Sequence, residues 1–103
     1  MYEVTCTIVE AEIKDLMKTG SIAAFPNEEI YNQPLILCSF VAADSPEIAE
    51  KRFRYVFGNI VKTKEVKSNR LSPNGVTSKD WLVQPLYNLA MEGKIYARIE
   101  FNL

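Results

Sequence analysis

Both ends of the chain alternate apolar and polar residues with a period of two. The apolar positions are Tyr2, Val4, Cys6 and Ile8 near the start, and Ile95, Ala97, Ile99 and Phe101 near the end. Because successive side chains of a strand point to opposite faces, both segments predict half-buried β-strands. We expect their sheet to have one covered face and one solvent-facing face, with the polar positions, Arg98 among them, on the latter.

The period changes after the first strand. Apolar residues within 9–19 are spaced as one stripe of a helix, and Gly20 is well placed to end it. Residues 21–34 show no clear period and contain Pro26 and Pro34, so they predict a surface loop.

The most apolar run of the chain is 35–43, and it predicts a central strand with apolar side chains on both faces. A helix follows. Asp44 or Ser45 is suited to cap it, Pro46 fits its first turn, and Gly58 is suited to end it in a left-handed conformation.

A second strand is predicted over 60–67, which completes a β-α-β unit. Residues 72–75, Ser-Pro-Asn-Gly, are typical of a tight turn. The last helix begins at Thr77 or, since a proline lies inside it, near Gln84, and Gly93 ends it.

These elements predict an α+β fold in a single domain, 1–103. The expected architecture is a small two-layer sandwich, ferredoxin-like or related, of about four mostly antiparallel strands with two or three helices, most of them on one face. A chain of 103 residues is long enough to form its own hydrophobic core.

The amino-acid composition limits the class of protein to which this chain can belong. A hydrophobic fraction of 48% and a charged fraction of 24% are those of a globular protein. No apolar run approaches the ~20 residues of a membrane span, and the N-terminus lacks a leader pattern, so we expect no membrane association. Cys6 and Cys38 lie in apolar runs and are expected to be buried, reduced thiols of a cytoplasmic protein.

The chain has no histidine. This removes the commonest general base, the usual nucleophile pairs and the usual zinc ligand. No phosphate-binding glycine loop or calcium loop occurs in the sequence. We therefore expect no metal, no cofactor and no catalysis. An enzyme that combines tyrosine, lysine and carboxylates is the third of three hypotheses, and it requires a pocket that brings these groups together.

Charge is segregated along the chain although the net charge is only −1. Residues 51–70 hold seven basic residues against Glu65 alone, whereas residues 1–50 hold nine acidic residues against two lysines. Such segregation bears on binding partners. The candidate contact residues of the basic segment are Lys51, Arg52, Arg54, Tyr55, Lys62, Lys64, Lys67 and Arg70.

The first hypothesis is a non-catalytic protein that binds nucleic acid or a nucleoprotein through residues 51–70, with cations on phosphates and Tyr55 on a base. An ordinary solvated helix face followed by a lysine-protected sheet edge explains the same residues. An acidic protein surface, including that of a second subunit in a homodimer, is a further partner for the basic segment.

The second hypothesis is a protein-binding inhibitor or adaptor of the phage or mobile-element type that acts through the acidic half. Its candidate contact residues are Glu10, Glu12, Asp15, Glu28 and Glu29.

Overall fold

A computed structural model describes residues 1–24, 35–71 and 83–101, which form an α+β domain with a five-stranded mixed sheet and three α-helices. The strands are β1 (Tyr2–Ile8), β2 (Ile22–Ala24), β3 (Leu35–Val41), β4 (Val66–Arg70) and β5 (Ala97–Phe101). The helices are α1 (Ile13–Met17), which follows a 3₁₀ turn at Glu10–Glu12, α2 (Pro46–Val61) and α3 (Val83–Met91). The predicted fold class is confirmed.

The strand order is β2-β5-β3-β1-β4. β3 lies at the centre, as its apolar residues on both faces predict, and it pairs antiparallel with β1 and β5. At Cys38, the register places Thr5 on one side and Arg98 on the other. The two terminal strands therefore flank the central strand and do not pair with each other.

The predicted β-α-β unit is formed by β3, α2 and β4, with β1 between its two strands. Since β3 and β4 are both antiparallel to β1, they are parallel to each other, and α2 crosses over β1 to connect them. The sheet with α2 on one face is compatible with a two-layer sandwich, to which α3 adds a smaller contact on the opposite face. A ferredoxin-like arrangement remains a prediction.

The main core lies between α2 and one face of the sheet. Ala49, Phe53 and Phe57 recur at helical spacing and are almost completely buried. The rings of Phe53 and Phe57 lie 4.9 Å apart between centroids. They pack in one cluster with β1 and β3 side chains such as Val4 and Leu37. Burial of each such side chain contributes about 1.5–3 kcal/mol to folding.

A smaller core lies on the opposite face of the sheet. Leu86 and Ala90 of α3 pack against Phe40 of β3, and the rings of Phe40 and Tyr87 meet edge to face with centroids 6.4 Å apart. The neighbouring β3 residue Val41 belongs to the main core, which is expected because successive strand residues face opposite ways. Thus α2 and α3 cover opposite faces.

The start of α2 agrees with its capping signal. The Ser45 hydroxyl oxygen accepts a hydrogen bond from the Ile48 N–H at 3.2 Å, and Pro46 is the first helical residue. Gly58 has the expected positive φ, 61°, with ψ −147°, and it interrupts the helical geometry in a kink, but a further turn follows and α2 continues to Val61. The predicted strand over 60–67 is therefore wrong over 60–65: the buried side chain of Val61 belongs to the helix, and β4 begins at Val66.

Two other predictions need correction. The expected loop over 21–34 begins with β2, which pairs parallel with β5 at the sheet edge. Arg98 was expected to face solvent but is only 4% exposed, so its face of β5 is covered as well. The predicted turn at 72–75 and the Thr77 helix start lie outside the described residues.

Replacing Gly58 with alanine should destabilise the protein. A side chain at this positive φ is strained even though a Cβ would meet no atom within 4 Å, so we expect a loss of about 1–3 kcal/mol in the free energy of unfolding. Asn59→Ala, one residue further along the helix, is the control and should change little. Urea denaturation measures both. Equal stabilities of the two variants would contradict the strain argument.

Candidate partner-binding groove

A groove of about 720 Å³ lies beside the outer surface of α2. Its apolar part is formed by Val41 at the end of β3, Val56 of α2, Ala90 of α3 and Ile95, just before β5. Three separate parts of the chain thus meet here. The walls include helices whose backbone groups bond internally, so a ligand must be recognised mainly by side chains.

The remaining side chains of interest come from one face of α2. Ile48, Lys51, Arg52 and Tyr55 have the spacing i, i+3, i+4 and i+7, which places them together along the helix. Ile48 is 41% exposed and Tyr55 is 88% exposed. Burial of the Phe53 side of α2 turns this face outwards.

Arg52 is held in place at the groove. Its Nη1 donates a hydrogen bond to the Ala42 carbonyl oxygen at 2.6 Å. Because a guanidinium has five N–H donors, most of its donors stay available to a ligand. This hydrogen bond partly fixes the Arg52 side chain and so holds its positive charge at the groove.

The groove is positively charged. Ion pairs within the described parts of the chain involve Lys18, Lys64, Lys94 and Arg98, and none involves Lys51 or Arg52. None of the described residues that line the groove is acidic. Two cations and an exposed tyrosine therefore border an apolar surface, which suits a ligand with both negative charge and apolar or aromatic area.

Two of the predicted basic contact residues have structural roles. The Arg54 Nη1 donates hydrogen bonds to the carbonyl oxygens of Val61 at 2.6 Å and Lys62 at 2.9 Å, at the end of α2. The Lys64 Nζ lies 2.7 Å from Glu12 Oε1 and also donates to the Thr7 carbonyl oxygen at 3.3 Å. These cations hold the helix end and connect it to the first part of the chain.

The other predicted basic residues lie apart from the groove. Lys62 is exposed at the end of α2, and Lys67 and Arg70 are exposed on β4. Lys67, with Thr5 and other residues, lines a second depression of about 310 Å³. The structure thus brings together Lys51, Arg52 and Tyr55 but spreads the rest of the basic segment over other surfaces.

Two of the predicted acidic contact residues lie beside lysine side chains, which partly neutralise their negative charge. Glu12 accepts hydrogen bonds from Lys64 and from the Val9 N–H, and Asp15 lies 3.5 Å from Lys18. Glu10 is exposed. Glu28 and Glu29, the other members of this set, lie outside the described residues.

Both cysteines are free and buried, as predicted. Cys6 belongs to the main core, whereas Cys38 neighbours Arg98 in the register and faces the opposite side of the sheet. Burial raises the pKa of both thiols, that of Cys38 to about 12. Neither thiol is suited to act as a nucleophile.

Sequence reasoning missed the apolar part of the groove. One signal was available: Ile48 is an apolar residue that lies beside, and not within, the buried stripe of Ala49, Phe53 and Phe57. No local pattern links α2 with Ala90 and Ile95, since these residues meet only after folding.

Comparison with protein-family models, curated proteins and solved structures gave no match. Among residues 1–24, 35–71 and 83–101, no helix has the length and apolar character needed to cross a membrane, and no group of three or more acidic or cysteine side chains is placed to hold a metal ion.

Substitution of Arg54 should affect stability. Arg54→Ala removes two charge-assisted hydrogen bonds at the end of α2, and we expect a loss of about 1–3 kcal/mol in the free energy of unfolding. Lys62→Ala, which removes a neighbouring exposed charge, should change stability by less than about 0.5 kcal/mol. Chemical denaturation tests both. Unchanged stability of Arg54→Ala would show that these contacts are not maintained in solution.

The buried thiols should react slowly. Near pH 8, a disulfide reagent should modify Cys6 and Cys38 much more slowly in the native protein than in urea, because the reactive thiolate is disfavoured. Rapid native modification would contradict this burial.

The raised pKa of Cys38 also makes the stability of the protein depend on pH. The stabilisation that comes from keeping this thiol protonated is complete below its ordinary pKa near 9. It is lost as the pH rises toward 12, since only the unfolded thiol ionises in that interval.

Proposed function

We propose that the protein is a non-catalytic interaction module that binds a negatively charged macromolecule, nucleic acid or nucleoprotein, through the groove beside α2. The observation that carries this proposal is the combination of Lys51 and Arg52, which form no ion pair among the described residues, with an exposed Tyr55 beside an apolar surface. Cations supply attraction to an anionic partner, and the tyrosine and apolar surface supply contact area.

The residues proposed to contact the partner are fewer than the basic residues of 51–70. Arg54 and Lys64 are engaged in hydrogen bonds within the protein, so they contribute to the electrostatic field more than to direct contacts. Three further cations, Lys62, Lys67 and Arg70, lie outside the groove. They attract a partner in the groove only from a distance, and salt screens such attraction strongly.

A protein-binding inhibitor or adaptor that acts through the acidic half has less support. Of its described residues, Glu12 is paired with Lys64, and Asp15 lies beside Lys18. The remaining exposed carboxylate, Glu10, does not make an acidic surface by itself.

A reducing compartment such as the cytoplasm fits this module. Cys6 and Cys38 are free thiols on opposite faces of the sheet, where they cannot bridge each other.

The proposal is tested by two double variants that remove the same charge. The groove variant, Lys51→Gln/Arg52→Gln, removes the two cationic side chains that line the groove. The control variant, Lys62→Gln/Arg70→Gln, removes one lysine and one arginine that lie outside it. Binding to a labelled single strand, a duplex and an acidic peptide is measured by fluorescence anisotropy at about 50 mM salt. We expect the wild type to bind at least one of the two nucleic acids, and the groove variant to bind it about tenfold or more weakly.

The control variant should stay within about threefold of the wild type, because screened, distant charges contribute little. Equal losses in both double variants would mean that total charge, and not the groove, determines binding. Absence of wild-type binding to both nucleic acids would overturn the proposal.

A further inference from the structure

Tyr55 is unusually accessible for an aromatic residue. Its side chain lies on α2 and is 88% exposed, and the aromatic pairs among the described residues involve other rings. A tyrosine ring in this position offers a free face to a planar group. Nucleic-acid bases stack on such rings with little dependence on sequence.

The two groove cations lie close to this ring. Lys51 precedes Tyr55 by four residues, one helical turn or about 6 Å along the axis, and Arg52 precedes it by three. In a single strand, every base is accompanied by a phosphate. A base on Tyr55 therefore brings its own phosphate and the adjoining one into reach of the two cations.

The apolar part of the groove suits the same ligand. Val56 and Ile95 provide aliphatic surface next to the polar contacts. An unpaired base or the sugar of a neighbouring nucleotide can cover this surface, whereas the bases of a duplex are stacked inside it and are not available to the groove.

A duplex fits the arrangement poorly. Duplex binding generally uses several phosphate contacts along a continuous basic surface. Here Arg54 and Lys64 are engaged internally, and Lys67 lies beside another depression. Of the seven basic residues in 51–70, only Lys51 and Arg52 line this groove.

An acidic peptide makes less use of the site. Its carboxylates can contact the cations and an aliphatic side chain can occupy the apolar surface, but neither requires the exposed ring of Tyr55. The helical walls offer no free backbone edge for an extended peptide to pair with.

We infer that the groove binds single-stranded nucleic acid, with one base stacked on Tyr55 and the adjoining phosphates on Lys51 and Arg52. This inference rests on the proposed function and specifies its partner. With two phosphate contacts, the logarithm of the binding constant should fall with the logarithm of salt concentration with a slope of about −1.4.

Stacking is tested by two substitutions of Tyr55. Tyr55→Phe keeps the aromatic ring and should bind a labelled single strand of about 12 nucleotides within threefold of the wild type. Tyr55→Leu keeps an apolar side chain without the ring, and we expect binding about tenfold weaker. Anisotropy titrations give the affinities, and thermal unfolding confirms that both variants fold.

Substrate class is tested with the wild type against three probes: the single strand, its duplex and an acidic peptide of matched charge. We expect the single strand to bind tightest. Preference for the duplex, or for the acidic peptide while a nucleic acid still binds, would overturn the inference but leave the proposed function in place. Binding of the acidic peptide alone would overturn both. Equal affinities of Tyr55→Leu and Tyr55→Phe would likewise overturn the stacked arrangement alone, whereas absence of binding to every probe would overturn both.

Discussion

The packing of α2 against the sheet is the interaction on which the rest of the molecule depends. Ala49, Phe53 and Phe57 enter the main core, and this orientation determines every other face of the helix. With 3.6 residues per turn, burial of that stripe leaves Lys51 and Tyr55 on an outer face. The same packing carries the chain across β1 and so places β4 at the sheet edge. Core and candidate groove are therefore two consequences of one helix orientation.

The fold redistributes the segregated charges of the sequence. Where a cation is partly buried, it contacts an acceptor: Arg54 binds carbonyl oxygens at the end of α2, and Lys64 pairs with Glu12. Removing a charge from water is costly unless such partners are available. Lys51 and Arg52 remain at the surface, where hydration makes pairing with a carboxylate unnecessary. A basic segment that looks uniform in sequence thus divides into structural cations and available cations.

Local sequence patterns predicted the elements whose apolar residues recur with a strong period. They failed for elements whose structure depends on contacts between residues far apart in the chain. β1, β3 and the Ser45 cap were predicted because alternation and capping act within a few residues. β2 was missed because its three residues become a strand only by pairing with β5, far along the chain. Gly58 was predicted to end α2, but burial of Val61 against the core favours one further helical turn after the kink. The basic residues of the candidate site were found, and its apolar part was not.

By itself, the sequence determined the α+β class, the central position of β3, the buried thiols and the basic character of residues 51–70. Each of these follows from backbone geometry and residue chemistry over short distances, which composition and periodicity report directly. Only the tertiary structure decided which cations remain unpaired and that Val56 lies beside Ile95 in one groove. Such proximity depends on how helices pack on a sheet, because contacts between distant segments leave no regular spacing in the chain.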